Sequence, residues 1–242
     1  MITKPTIYSS KAELIQAATD AIAGAIKNSV AERGTCYVAL AGGRSPRDIY
    51  ARLAISQSDQ IPWRDVHLFW GDERAVPPDH PASNYGMARE SLLRHIAIPD
   101  ANVHRISGEM EPGIAASEYT EVIARTLPTS PPRLDLVLLG IGEDAHTASL
   151  FPGTDALDEQ KEDVTAVFVE KLETWRITMT LQMLNRAREV IFLVSGKSKA
   201  GIVQLISRLK APSKEYPATL IDPNHGDVRW MLDSEAARLI GT

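Results

Sequence analysis

The sequence predicts a single α/β domain built on a mostly parallel sheet with helices on both faces. Three observations lead there. Short apolar runs alternate with helix-length segments along all 242 residues. Several runs are apolar at consecutive positions, as in strands covered on both sides. No repeat, low-complexity tract or shift in composition marks a boundary, so residues 1–242 read as one domain.

Ser10-Lys-Ala-Glu13 has the spacing of a capping box, and apolar residues recur at helical intervals through Ile26 and Val30. Cys36 to Ala41 reads as a strand. A glycine turn follows, then a helix beginning near Pro46 with Ser45 as its cap and Asp48 as the capping-box acid. Val66 to Trp70 is the next strand, and NYGMARESLLRHI from Asn84 is an amphipathic helix. Glu111 to Thr126 is a further helix, and Pro128 to Pro132 breaks the chain before the buried strand Leu134 to Leu139. Val164 to Val169 and Arg176 to Leu181 are β-rich. Val190 to Val194 is a second short buried strand, with a helix from about Lys197 to Leu209; RWMLDSEAARLI supplies a strand and a closing helix. This alternation describes a Rossmann-like sheet.

A net charge of −5 with no basic stripe or tail argues against a nucleic-acid partner. No apolar run reaches membrane length and the N-terminus lacks a secretory pattern, so a cytoplasmic protein is expected, as a monomer or weak homo-oligomer. The one cysteine, Cys36, cannot form an internal disulfide and sits in an apolar strand, which makes it a structural thiol in a reducing compartment.

Three segments could carry chemistry. In AGGRSPRD, Gly42 and Gly43 let the backbone approach a ligand, and the amides at the start of the following helix favour an anion. Arg44 and Arg47 add positive charge. Walker and dinucleotide spacings are absent, so a nucleotide is not indicated, and a tight strand-to-helix turn with solvated arginines is the bland alternative. In FWGDERAVPPDHPASNYG, the charged triplet Asp72-Glu73-Arg74 leaves a strand in what reads as a loop. Asp72 could orient an imidazole or a water; Arg74 could hold phosphate or a developing oxyanion. In LDLVLLGIGEDAHTASLFPG, Asp144 and His146 follow a Gly-x-Gly turn at a strand's carboxyl end, where open α/β sheets bind ligands. Imidazole suits proton transfer at neutral pH, and either Asp144 or Asp72 could fix its tautomer. Arg176 and Lys199 are further candidate cations, Lys199 at a helix start after a buried strand.

Neither a metal nor a cofactor is indicated. Asp222, His225 and Asp227 are ligand types set in a Pro/Gly turn, and no zinc motif or Gly-x-Ser-x-Gly elbow occurs.

Taken together, AGGRSP, GDERAVP with SNY at Ser83 to Tyr85, GIGEDAHTASLFPG, and the later RITMT, SGKSKA and WMLDSEAARL resemble the 6-phosphogluconolactonase family nearly end to end. The resemblance implies hydrolysis of 6-phospho-D-glucono-1,5-lactone with a phosphorylated sugar lactone as the only partner. It implies His146, Asp72, Asp144 and Arg74 as catalytic residues, and Gly42, Gly43, Arg44, Ser45, Arg74, Arg176 and Lys199 around the substrate. Many members carry glycine where this chain has Ala145. If that site needs positive φ, alanine is mildly strained there. The related amino-sugar phosphate deaminases carry a glutamate at the position of Phe151 and tend to Asp-Glu-Tyr rather than Asp72-Glu73-Arg74; a proton-shuffling isomerase needs that carboxylate and a hydrolase does not. A catalytically silent sugar-phosphate sensor is the remaining alternative.

Overall fold

The computed structural model describes residues 4–240. In chain order the elements are β1 (Thr6–Tyr8), α1 (Lys11–Arg33), β2 (Cys36–Leu40), α2 (Arg44–Ser56), β3 (Val66–Trp70), β4 (Asp72–Arg74), α3 (Asn84–Ser91), α4 (Pro112–Thr126), β5 (Leu136–Leu139), β6 (Val164–Val169), β7 (Thr174–Met179), α5 (Leu181–Leu184), β8 (Glu189–Val194), α6 (Ala200–Ser207), β9 (Asp227–Asp233) and α7 (Ser234–Ala237).

Six strands form a parallel sheet in the order β1-β9-β8-β5-β2-β3. Every residue of β5 is buried, as is all of β8 after Glu189, which is the signature of a sheet covered on both faces. Phe192 and Trp230 stack on neighbouring strands with ring centroids 3.8 Å apart, deep in the core. Cys36 is fully buried there, and burial pushes its thiol up to about 12, so it is no nucleophile.

The strand order places the ligand edge. From β2 the chain moves outward to β3, then returns past β2 to lay β5 on its other side. The reversal opens a crevice at the carboxyl ends of β2 and β5, the topological switch point of an open parallel sheet. The glycine turn after β2 and the Gly-x-Gly turn after β5 both face it.

Sequence patterning and structure agree closely at α1. Ser10 caps it, accepting from the Glu13 amide at 3.2 Å, and Gly34 ends it in the left-handed conformation (φ 78°). Two local expectations are corrected. Ser45 does not cap α2: the helix starts two residues earlier, at Arg44, with Gly43 (φ 106°) in the cap position and no side-chain capping bond. Proline is tolerated throughout a helix's first turn, so Pro46 does not mark its first residue. Asp48 pairs instead with Lys11 (2.7 Å) and Arg47 (3.3 Å).

Asp72–Arg74, expected in a loop, is a strand. It forms the edge of a second, three-stranded sheet, β4-β7-β6, entirely antiparallel. Gly71 is the junction: its amide donates to Leu40 O in the parallel sheet (3.0 Å) while its carbonyl accepts from Met179 N (2.8 Å) at the end of β7. The β1 strand has no signal in the sequence, since three residues at the sheet edge give too short a pattern.

Candidate active site

The crevice holds a cavity of about 200 Å³ lined by Gly42, Gly43, Asp72, Arg74, Asn84, Gly142, His146, Arg176 and Lys199, among others. Three segments distant in sequence thus meet on one side of the sheet, as their positions predict. Arg44 and Ser45 sit beside the cavity, in the first turn of α2, where backbone amides have no intrahelical acceptor. Tyr50 of that helix braces the turn from behind. Its hydroxyl accepts from Ala41 N at 2.9 Å and donates to Ala41 O at 3.0 Å.

His146 is set by a tight turn in which Gly142 N donates to His146 O (2.8 Å) and Ala145 N to Gly142 O (3.1 Å). Its Nδ1 lies 2.5 Å from Asp144 Oδ1, which also accepts from the His146 amide at 3.2 Å. A carboxylate can only accept, so Nδ1 carries the proton and Nε2 the free lone pair. Phe151 stacks on the ring at 4.1 Å between centroids. Burial drives the imidazole's pKa down to about 4. Lys199, Arg176 and Arg74 act the same way, against the upward pull of Asp72.

Ala145 does take the left-handed backbone (φ 62°), as does Ala148 (φ 47°). The strain expected of alanine is therefore present, at about 1 kcal/mol. Gly142 is indispensable for a different reason. A Cβ there would overlap the His146 ring and come within 2.5 Å of Asp144 Oδ1. Gly42 has the same constraint against the Asn84 amide.

The two aspartates are placed differently. Asp144 touches the imidazole. The Asp72 carboxylate is held by Ser149 Oγ (2.6 Å) and Asn84 Nδ2 (3.2 Å), and it acts on His146 through its field. Ser149 is in turn positioned by its amide's bond to Thr178 Oγ1 (3.2 Å). Ser149 donates as its position in the segment allows, whereas Asn84 and Thr178 were not singled out from sequence, although Asn84 lies in the SNY motif and Thr178 in RITMT. Glu73, buried at 2% exposure, accepts from Arg74 N (2.8 Å), Ser83 Oγ (3.0 Å), Asn84 N (2.7 Å) and Tyr85 N (2.8 Å). Burial raises its pKa while these four donors oppose the rise. It staples the start of α3 to β4 and so fixes Asn84 and Arg74.

The cations fall into two groups. Arg74 and Arg176 are directly opposite in the β4–β7 ladder, a like-charge pairing that destabilises a sheet unless an anion joins it. Each has a buried Nε without a hydrogen-bond partner. Desolvation and the neighbouring Arg74 lower the pKa of Arg176, while Asp72 and Glu73 raise it. Lys199 belongs with the glycine turn: desolvation lowers its pKa most, Glu143 raises it, and Arg44 lowers it. Among the described residues no group of three or more His, Cys, Asp or Glu side chains is arranged to hold a metal ion, and no helix is long and apolar enough to cross a membrane.

Comparison with known proteins identifies the family. Residues 9–230 match the family model described as glucosamine-6-phosphate isomerases/6-phosphogluconolactonase. The chain is 38% identical over 240 residues to a 6-phosphogluconolactonase of Synechocystis sp., covering 98% of both chains. Among solved structures, 6-phosphogluconolactonase from Trypanosoma brucei superposes with a TM-score of 0.85 at 32% identity, over 99% of this chain and 100% of that one. The devB protein does so with a TM-score of 0.90 at 33% identity, over 99% and 100%. With the match running nearly end to end in both sequence and fold, the chain belongs to the glucosamine-6-phosphate isomerase/6-phosphogluconolactonase family, on the side of the 6-phosphogluconolactonases.

Proposed function

We propose that this protein hydrolyses 6-phospho-D-glucono-1,5-lactone to 6-phospho-D-gluconate, the ring-opening step of the oxidative pentose phosphate pathway, without a metal and with His146 as general base. One observation carries the reading. An imidazole whose Nδ1 is tied to Asp144 opens onto a cleft that also holds an anion-binding turn and three unneutralised cations. The names of the relatives supply the substrate.

The phosphate occupies the first-turn amides of Arg44 and Ser45, with Gly42 and Gly43 permitting its approach and Lys199 closing over it. That anchorage directs the lactone carbonyl toward the guanidinium pair. Nε2 of His146 removes a proton from water as its oxygen attacks C1. Arg74 and Arg176 stabilise the tetrahedral oxyanion, and the imidazolium returns its proton to the departing ring oxygen. Asp144 holds the tautomer throughout, and Asp72, fixed by Ser149 and Asn84, favours the imidazolium as it forms. Positive charge at the carbonyl comes from guanidinium groups, so no Lewis acid is required. General-base catalysis supplies about 10²–10⁴-fold, and a well-placed oxyanion donor about 3–4 kcal/mol. A free-enzyme pKa of about 4 is low for the base. Burial depresses it most, and the bound phosphate dianion offsets Lys199, the first of the cations that add to that depression, which moves His146 toward its working range in the complex.

Phe151 argues against amino-sugar phosphate deamination, because a hydrocarbon ring packs on the imidazole where that reaction needs a carboxylate. We place the enzyme in the cytoplasm as a monomer or weak homo-oligomer, consistent with one buried, unpaired cysteine. The decisive assay follows opening of freshly made lactone, corrected for spontaneous hydrolysis, beside a parallel measurement of ammonia release from glucosamine 6-phosphate. Turnover of the first alone is expected. Turnover of neither, with binding retained, would identify a sensor.

Lys199→Ala is expected to raise KM for the phosphorylated lactone about tenfold or more, with little change on an unphosphorylated gluconolactone. Equal losses on both substrates would remove Lys199 from the phosphate.

A further inference from the structure

Behind His146, on the side away from the substrate cleft, Lys171 makes two contacts that converge on the same imidazole. Its ammonium pairs with Asp144 Oδ2, the oxygen not used by His146. It also lies 4.7 Å above the centre of the Phe151 ring, within cation–π range. Asp144 grips the imidazole at its Nδ1 edge, and Phe151 covers one of its faces. One side chain therefore tethers both groups that fix the ring. Lys171 itself comes from a distant place, the short helical turn Glu170–Leu172 between β6 and β7. It is half-exposed and lines a second cavity of about 740 Å³, shared with Asp144, Phe151, Phe168 and Trp175.

We propose that Lys171 is a positioning residue of the hydrolytic site, which locks Asp144 and Phe151 against His146 without touching the substrate. The proposal deepens the reading of His146 as general base and rests on it. Without the ammonium, Asp144 keeps only the His146 ring and backbone amide, both on Oδ1, and its Oδ2 end is free to swing about the side-chain torsions. Phe151 then loses its polar cover toward the second cavity. A general base displaced by a fraction of an ångström loses a large part of its advantage. An exposed ion pair alone would contribute little. The consequence here is geometric, because the pair and the ring contact act on one residue.

The electrostatic consequence has a definite sign. The groups facing His146 are Asp144 on its own turn, Asp72 and Arg74 on β4, Arg176 on β7 and Lys199 at the start of α6, with Lys171 behind Asp144. Lys171 neutralises part of the Asp144 charge. Its removal exposes His146 to the full carboxylate, which favours the imidazolium and moves its titration upward.

The test compares Lys171→Met and Lys171→Arg with the parent, using kcat, KM and the nitrogen-15 NMR titration of His146 in the free protein. Lys171→Met is expected to lower kcat roughly tenfold with KM held within about twofold. It should also raise the His146 midpoint by about one pH unit. Lys171→Arg keeps the charge and should recover most of both. Parental kcat and an unmoved titration in Lys171→Met overturn the proposal. So does a loss shared by kcat and KM with the His146 titration unchanged, which is the pattern of a general structural role. His146→Ala serves as the separate control. Should it retain turnover, the general-base reading fails, and the NMR shift by itself then decides whether Lys171 governs His146.

Discussion

Replacing His146 with alanine is expected to reduce kcat by at least about a hundredfold while leaving the fold intact. The side chain makes one hydrogen bond, to Asp144, and one ring contact, to Phe151. Neither secures a core element, so thermal melting should change little. Near-parental turnover in a folded variant would take His146 out of the mechanism. The pH dependence provides a second check. The free-enzyme imidazole titrates at about 4, so kcat/KM should persist down to that region once the substrate phosphate's own ionisation near about pH 6 is allowed for. The acid limb of kcat reports the complex. It should lie at higher pH, because bound phosphate neutralises Lys199, one of the cations that lower the imidazole. Limbs in the reverse order would contradict a phosphate bound near His146.

Gly142→Ala should match that loss, although it adds only a methyl group and alters no titratable residue. The new Cβ overlaps the imidazole and crowds Asp144, so both must swing away together. The cleft gives them room, and the expected result is a folded protein with kcat down by about a hundredfold or more. The same substitution at Gly140 is a control, since a Cβ there meets nothing within 4 Å. A Gly142→Ala protein with parental activity would show that the observed Asp144–His146 geometry is not the one used in turnover.

How much of this was legible beforehand follows the range of the interactions involved. The strands at Val66–Trp70 and Leu136–Leu139 are continuous apolar runs, and burial on both faces writes itself locally into sequence. Ser10 announces α1 because a cap and the amide that donates to it lie three residues apart. Asp72–Arg74 gives no such signal: its strand character comes from β7, roughly a hundred residues later, and three charged residues alone look like a loop. The meeting of the three functional segments could be expected, since each follows a parallel strand. The division of labour between Asp144 and Asp72 could not. It depends on Ser149 and Asn84 reaching one carboxylate and the imidazole reaching the other. Ser45 misled because the serine-proline spacing fits a helix start, while Gly43 at φ 106° allowed an earlier one.

The facing guanidinium groups of β4 and β7 have a practical corollary for anyone handling the protein. On the proposed reading, two neighbouring arginines with idle Nε donors, and Lys199 in the same cleft, offer positive charge to any small oxyanion. Buffers containing inorganic phosphate or sulfate would compete for it, masking true affinity for the sugar ester while making the preparation more resistant to heat.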